Sequence, residues 1–274
     1  WTGRYALRTG VTDTYNGGAI MSSSEITLAE IFAEKNYKTG IFGKWHLGDN
    51  YPSRPSDQGF QESLIHLAGG IGQVGDFTNY YAGNESYFDP ALWHNNEIKK
   101  YEGYCSDIFT DEALKFIEQN KSNQFFCYLS FNAPHTPLQV PEKYYDLYKD
   151  IDPSNFYEEV TSEMTERDVN DAKKIYGMVT NIDENFGKLL YKLEELDIKE
   201  NTIVIFLTDN GPQQTRYVSN LRGLKSQVYN GGIKVPLYFS YPKLYKKAKD
   251  IDFFGAHIDV LPTLSKLCNL TIPT

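Results

Sequence analysis

The sequence predicts an α/β fold in which a mostly parallel, mixed sheet is sandwiched by helices. Strand-like and helical segments alternate along the chain, which is typical of a sheet that helices cover on both faces. A chain of 274 residues is also long enough to bury a full hydrophobic core. A chain of this length ordinarily forms one large domain or two small ones, and we assign residues 1–274 to one domain.

The first predicted helix and strand lie near the start of the chain. Thr27 and Glu30 form a capping-box pattern ahead of apolar residues at helical spacing, so a helix is expected from there to about Lys35. Asn36 tolerates the left-handed conformation that ends many helices. A short buried strand is expected next, over residues 38–42.

Further helices and strands are predicted at residues 106–119, 124–131, 175–196 and 202–207. Each of the two strands is followed by polar residues that could carry chemistry. His135 follows the first strand, and Asp209 and Asn210 follow the second. Ligands of parallel α/β proteins usually bind at the carboxyl ends of strands, so these side chains are candidate site residues.

Residues 47–104 show no clear period and are rich in Gly, Asn, Asp, Pro and Tyr. We expect a long irregular loop that forms part of a pocket wall, because loops of this length are usually functional. His66 and Gln73 flank the glycine-rich segment Ala68–Gly72 and are candidates for lining that pocket. The segment lacks the lysine and the spacing of a phosphate loop.

The charge balance excludes one class of partner. With 27 basic and 36 acidic residues the formal net charge is −9, which argues against nucleic acid. A small anionic ligand is still compatible with this net charge if positive charges are clustered at its site.

No apolar run reaches the roughly 20 residues of a membrane span. Cys105, Cys127 and Cys268 show no metal or disulfide spacing, although one pair could bridge.

Asp209 and Asn210 are candidate metal ligands. A carboxylate and an amide carbonyl are hard oxygen ligands, which favours calcium or magnesium over zinc. The alternative is an Asp-Asn-Gly turn that holds no metal.

Lys44 and His46 follow the first strand and could contact a tetrahedral anion, the lysine as a point charge and the histidine as a donor or proton carrier. The alternative is a surface ion pair beside a buried Trp45.

His135 lies between two prolines, which restrict its loop. Its alternative role is to cap a backbone carbonyl.

Lys225 is a further candidate for anion binding, because the preceding Gly223 permits close approach to a ligand. The alternative is a solvated basic face. Arg222 is expected to pair with a carboxylate rather than to contact a substrate.

Five segments in combination carry a family resemblance: Thr2–Tyr5, Gly43–Leu47, Ala133–Pro137, Thr208–Gly211 and Leu221–Lys225. With them the chain resembles the sulfatase family of the alkaline phosphatase superfamily over nearly its whole length. The resemblance implies that Asp209 and Asn210 ligate Ca²⁺, with Mg²⁺ less suitable. It also implies that Lys44, His46, His135 and Lys225 hold the sulfate group and assist departure of the leaving group.

The chain also departs from the family pattern. Sulfatases use a formylglycine nucleophile, made from the first residue of a Cys/Ser-x-Pro-Ser-Arg motif, which would lie upstream of Trp1. That motif, an upstream acidic pair and the smaller C-terminal subdomain are not in this sequence. We therefore expect residues 1–274 to be a partial catalytic domain that is inactive alone. The resemblance further implies a sulfated carbohydrate as substrate and a periplasmic or extracellular location. It leaves the oligomeric state open.

Two alternative functions remain. A phosphoesterase or phosphonate hydrolase of the same superfamily would keep the fold and change the nucleophile or the metal. A non-catalytic protein that binds sulfated glycans would use the same pocket. Retention of the complete set of candidate residues argues against this second alternative.

Overall fold

The computed structural model describes residues 1–14, 17–80, 86–156 and 163–272. The chain divides into two compact units. The first unit comprises residues 1–137 and 250–274, and the second comprises residues 138–249.

The helices and strands in chain order are α1 (Leu28–Glu34), β1 (Lys38–Lys44), β2 (Glu62–His66), β3 (Ala91–His94), β4 (Glu97–Lys100), α2 (Cys105–Gln119), β5 (Phe125–Ser130), α3 (Glu142–Tyr145), α4 (Glu166–Glu195), β6 (Val204–Leu207), α5 (Asn230–Ile233), β7 (Leu237–Ser240) and α6 (Val260–Leu267). Short 3₁₀ helices at Ala6–Thr9, Pro55–Asp57, Pro153–Phe156, Lys199–Asn201 and His257–Asp259 complete the described elements.

The first unit is built on a five-stranded sheet of order β4-β3-β2-β1-β5. Strand β1 runs parallel to both β2 and β5, whereas β3 and β4 add an antiparallel hairpin at the β2 edge. The predicted α/β fold with a mixed sheet is therefore confirmed. Its parallel part, β2-β1-β5, is the part that delivers the first group of candidate site residues.

Helices cover both faces of this sheet. Ile41 belongs to one buried cluster with Ala29 of α1, whereas the ring of Phe42 contacts Phe116 of α2 at 5.6 Å between centroids. Consecutive strand residues point to opposite faces, so α1 and α2 lie on opposite sides of β1. The sheet is sandwiched as the sequence predicts.

The start of α1 shows why the local sequence was informative. The Thr27 hydroxyl accepts a hydrogen bond from Glu30 N at 3.1 Å, and the Glu30 carboxylate accepts one from Thr27 N at 2.7 Å. These bonds satisfy two backbone donors that a helix start leaves unpaired. Asn36 follows with φ 62°, in the left-handed conformation expected of it.

The prediction that residues 47–104 form an irregular loop was wrong, because three strands of the sheet lie within this range. Strand β2 is short and buried, yet it includes polar residues. Its sequence therefore lacks the alternation of apolar and polar residues that predicts a strand. The β3–β4 hairpin has a two-residue turn at Asn95 and Asn96, both at positive φ. Adjacent residues that tolerate positive φ are the signal that could have located this hairpin.

The second unit contains α3, α4, α5 and a two-stranded ribbon. The long α4 confirms the helix predicted over residues 175–196, and it begins earlier, at a capping box between Thr165 and Asp168. Strand β6 confirms the strand predicted over residues 202–207, but among the described residues it pairs antiparallel with β7 alone. None of the described helices has the length and apolar content needed to cross a membrane.

Candidate functional site

Lys44 and His46 are positioned by the end of β1. Lys44 is the last residue of the strand and lies opposite His66 in the β1–β2 register. The pairing extends past the strand, because Trp45 N donates to His66 O at 3.2 Å and His46 N donates to Leu67 O at 3.0 Å. The two candidate side chains are therefore held by backbone bonds to the neighbouring strand and its extension.

His46 adopts φ 55°, a conformation that few residues with a side chain occupy. Strained backbone of this kind is concentrated at functional sites. Its ring Nε2 lies 2.8 Å from Thr14 O. A carbonyl can only accept a hydrogen bond, so Nε2 carries a proton.

The glycine-rich segment supports His46 rather than forming a loop for phosphate. A Cβ on Gly69 would lie 2.7 Å from Cε1 of the His46 ring, so the ring occupies the space that a side chain there would need. The buried Asp76 also holds this segment, because its carboxylate accepts a hydrogen bond from Gly72 N at 2.7 Å. No local pattern of residues indicates this packing role.

His135 is held by residues that the sequence analysis missed. Its backbone N donates to Asn132 O at 3.0 Å, and its carbonyl accepts from the hydroxyl of the fully buried Tyr87 at 2.6 Å. The Asn132 amide in turn donates to the Tyr87 hydroxyl. The His135 Nδ1 lies 2.8 Å from the carbonyl of Thr136 and carries a proton for the same reason as in His46.

His66 is fully buried and lies among the basic candidates. Burial, followed by the charges of Lys44, His46 and His135, lowers the pKa of His66 to about 3. Neither ring nitrogen has hydrogen-bonding geometry with another described residue, although the Asn132 amide slightly favours the protonated form. His66 is thus uncharged at neutral pH, and Lys44, His46 and His135 all lie within electrostatic range of it.

Gln73 links two of these segments. Its side-chain amide donates to the Thr136 carbonyl at 2.9 Å and to the Thr136 hydroxyl at 3.0 Å, which joins the glycine-rich segment to the His135 loop. The amide nitrogen is therefore occupied within the first unit. Substrate contact by His66 or Gln73 stays a prediction.

In the second unit, backbone contacts bring Lys225 to the loop that contains Asp209 and Asn210. Lys225 N donates to Pro212 O at 2.7 Å. Gly211 packs directly on the α5 turn, where a Cβ on Gly211 would lie 1.8 Å from Gly231 O. The sequence located these residues, but the close backbone packing that joins their loops is a property of the folded chain.

Asp209 and Asn210 can supply oxygen ligands. Asp209 Oδ1 accepts from Asn210 N at 2.9 Å, and Asn210 Nδ2 donates to Gly211 O at 2.8 Å. These bonds leave the second carboxylate oxygen and the amide oxygen for a hard cation, so the two residues fit calcium chemically. Calcium takes six to eight oxygens, and within the described ranges no group of three or more His, Cys, Asp and Glu residues could hold a metal.

Arg222 does not pair with a carboxylate as expected. Its guanidinium lies 4.0 Å from the centre of the Tyr229 ring, a cation–π contact, and no ion pair involving Arg222 occurs in the described part of the chain. Its role is still structural, since its carbonyl accepts from Gly231 N at 2.7 Å.

Arg216, which the sequence analysis did not single out, lies between the Asp209 loop and Lys225 in the chain. Burial lowers the pKa of Arg216 to about 10, a shift that nearby Tyr176 opposes. Its Nη1 is buried and has no hydrogen-bond partner among the described residues. It is therefore a partly buried cation without a counterion in the described structure.

The fold places the chain among α/β proteins with a mostly parallel central sheet flanked by helices. The sulfatase family profile matches residues 1–270, and the chain belongs to this family.

Individual relatives agree with the family match. An ulvan-active sulfatase from Formosa agariphila is 27% identical over 99% of this chain and 51% of its own length. An arylsulfatase from Hemicentrotus pulcherrimus is 28% identical over 93% of this chain and 44% of its own length. The crystal structure of Ps i-CgsB in complex with k-i-k-neocarrahexaose matches with a TM-score of 0.83 and 28% identity, over 99% of this chain and 60% of that one. The chain thus spans about half the length of these curated relatives.

Proposed function

We propose that this chain provides the sulfate-binding part of a sulfuric ester hydrolase that acts on a sulfated carbohydrate. The observation that carries the proposal is the placement of Lys44, His46 and His135 within electrostatic range of an uncharged, buried His66, in a chain of the sulfatase family. Clustered positive charge in a partly desolvated site favours a small dianion or monoanion over a neutral group.

Each residue has a proposed role. Lys44 and Lys225 neutralise charge on the sulfate oxygens as point charges. His46 is held by Thr14 and donates a hydrogen bond to the sulfate group. His135 supplies a proton to the departing alcohol, and the Asn132–Tyr87 pair sets the position of its loop.

Asp209 and Asn210 are proposed to hold Ca²⁺, with Mg²⁺ less suitable because it demands a stricter geometry. When bound, calcium would neutralise negative charge on the ester and polarise its sulfur–oxygen bonds. The other ligands and the nucleophile, a formylglycine, are proposed to come from a segment that precedes Trp1 in a longer protein. Residues 1–274 alone are accordingly predicted to show no turnover.

A carbohydrate substrate is proposed from the relatives, one of which is named for activity on ulvan and another of which was crystallised with a neocarrahexaose. A periplasmic or extracellular location is proposed on the same basis, because sulfated polysaccharides are extracellular material. The three cysteines of this chain are unpaired in the structure and do not bear on that location.

The test compares 4-nitrophenyl sulfate with 4-nitrophenyl phosphate, in calcium, using a longer protein that carries a Cys/Ser-x-Pro-Ser-Arg segment ahead of Trp1. We expect a preference for sulfate, and a loss of about 100-fold or more in kcat/KM for His135→Ala and Asp209→Ala. Asp183→Ala, on an exposed position of α4, is the matched control and should keep full activity.

Three outcomes would contradict the proposal. Preference for the phosphate ester would assign the chain to the phosphoesterases. Binding of inorganic sulfate without hydrolysis of either ester would assign it to the glycan-binding alternative. Hydrolysis of the aryl sulfate by residues 1–274 alone would refute the predicted need for an upstream nucleophile.

A further inference from the structure

The first unit contains a cavity of about 140 Å³ that the proposed reaction does not use. Its floor is the face of β2 that presents Ser63, Ile65 and Leu67, together with Trp93 of β3, and the segment from Asp49 to Pro55 forms its rim. All of these residues belong to one unit.

This cavity lies on the opposite face of the sheet from His66. Ser63 and Ile65 alternate with Leu64 and His66 along β2, so the two pairs point to opposite faces. The His66 ring faces α2, where it is 6.4 Å from the Phe109 ring. Trp93 is the register partner of Ile65 and lies on the cavity side. A molecule in the cavity would therefore not contact His66.

Two polar groups of the cavity wall lack partners. Ser63 is only 4% exposed, and its hydroxyl makes no hydrogen bond with any residue the structure describes. Asp49 at the rim is solvent-exposed and likewise forms no hydrogen bond or ion pair in the described part of the chain, and partial desolvation raises the pKa of its carboxyl. The Ser63 oxygen is reached by solvent from the cavity, so a water molecule or a ligand hydroxyl can bond to it there.

The charge of the wall argues against an anionic ligand. Arg54 is the cation of the lining, and its Nε and Nη2 donate to the two carboxylate oxygens of Asp57 at 2.8 and 2.9 Å. Its charge is thereby neutralised, and Asp49 leaves one uncompensated negative charge. The lining therefore offers no unpaired cation to a sulfated ring.

The size and the apolar part of the wall indicate the shape of the ligand. A dry cavity of about 150 Å³ holds one six-membered aromatic ring. Trp93 and Tyr51 offer aromatic surface, and Ile65 and Leu67 offer an apolar floor. An apolar ring face next to a hydroxyl and a carboxylate is the chemistry that an uncharged pyranose satisfies with its C–H face and its hydroxyl groups.

We propose that this cavity binds an uncharged pyranose unit. The Ser63 hydroxyl and the Asp49 carboxylate hydrogen-bond the sugar hydroxyls, and the ring packs between Trp93 and the apolar floor. The site would hold an uncharged sugar unit of a glycan. Binding of that unit does not require cleavage of a sulfate ester.

The experiment is saturation-transfer NMR on the full chain with methyl β-D-galactopyranoside and methyl β-D-glucopyranoside at about 5 mM, with galactose 6-sulfate and methylammonium for comparison. We expect transfer to the ring C–H protons of at least one neutral glycoside. The signal should fall at least fivefold in Asp49→Ala and in Ser63→Ala. Asp111→Ala, at an exposed position of α2, should leave the signal unchanged.

Lys44→Ala separates this proposal from the proposed function, because it should lose binding of inorganic sulfate and keep binding of the neutral glycoside. Thermal melts of both cavity variants establish whether they are folded. If Asp49→Ala does not fold, Ser63→Ala alone tests the proposal. The proposal is overturned if neither glycoside receives saturation, if the sulfated sugar or methylammonium binds more tightly, or if both cavity variants bind as the original chain does.

Discussion

His66 carries no charge at neutral pH although three basic side chains lie within electrostatic range. A positive charge on His66, fully buried beside the basic groups of Lys44, His46 and His135, would cost both desolvation and repulsion. A carboxylate at the same position would neutralise part of the positive field that we propose to bind the sulfate group. A neutral imidazole fills the space and preserves that field.

This state of His66 makes stability depend on pH. The pKa of His66 is about 3 in the folded chain, against the ordinary histidine value of 6.5 that applies when the chain unfolds, so the unfolded chain binds the extra proton between these values. The free energy of unfolding therefore falls as pH drops below 6.5, and this contribution amounts to about 2 kcal/mol between pH 7 and pH 5. Urea unfolding at both pH values measures it.

The matched comparison is His66→Gln, which cannot take up the proton, with the exposed His257→Gln as control. His66→Gln should lose less stability between pH 7 and pH 5 than the original chain, by about 2 kcal/mol. His257→Gln should retain the original dependence. Equal pH dependence in all three chains would show that His66 is accessible to protons in the folded state.

Arg216 is the second unusual side chain. Its buried Nη1 has no hydrogen-bond partner in the described structure, and an unsatisfied buried donor costs stability. We expect Arg216→Met to raise the free energy of unfolding by about 1–2 kcal/mol. Arg167→Met, on a side chain that is 90% exposed, should change it by less than about 0.5 kcal/mol. A destabilised Arg216→Met chain would mean that the guanidinium has a partner in solution.

At the scale of elements, the end of β1 lies very close to the neighbouring parallel strand β5. Gly43 has φ 124°, and a Cβ there would lie 1.9 Å from Ser130 O of β5. Only glycine can occupy this position without moving one of the parallel strands. This close approach helps to position the end of β1, where Lys44 and His46 lie.

Two glycine substitutions should change stability in opposite directions. Gly43→Ala should lower the free energy of unfolding by about 3 kcal/mol or more, because it combines steric overlap with a disfavoured φ. Gly187→Ala, within α4 and with nothing close to the added methyl, should raise it by about 0.5–1 kcal/mol. Urea unfolding of both chains is the measurement, and a tolerated Gly43→Ala would refute the close approach of β1 to Ser130.

Across the whole chain, the candidate residues fall into two groups that belong to different units. The first unit holds the basic and imidazole groups, and the second holds Asp209, Asn210 and Lys225. Metal binding can therefore be examined separately from sulfate binding. A ligand that binds only the folded chain stabilises it by an amount set by its concentration and its dissociation constant.

Calcium at ten times its measured dissociation constant should raise the free energy of unfolding by about 1.4 kcal/mol. The increase should be absent in Asp209→Ala and smaller with magnesium at the same concentration, whereas Lys44→Ala should keep it. Calorimetric titration gives the dissociation constant and urea unfolding gives the stability. The same increase in Asp209→Ala would place calcium elsewhere on the chain.

Local sequence was sufficient to predict the fold class, the start of α1 and the residues that follow the strands, but not the start of α4. Capping at Thr27 and helical apolar spacing are local properties, since neighbouring residues alone produce them. Long-range contacts established the β2–β4 strands, the burial of His66 and the Tyr87–Asn132 support of His135. They also established the packing of Gly69 on His46. Apart from the Asn95–Asn96 turn, these features depend on contacts between distant segments, whose geometry no local pattern of residues encodes.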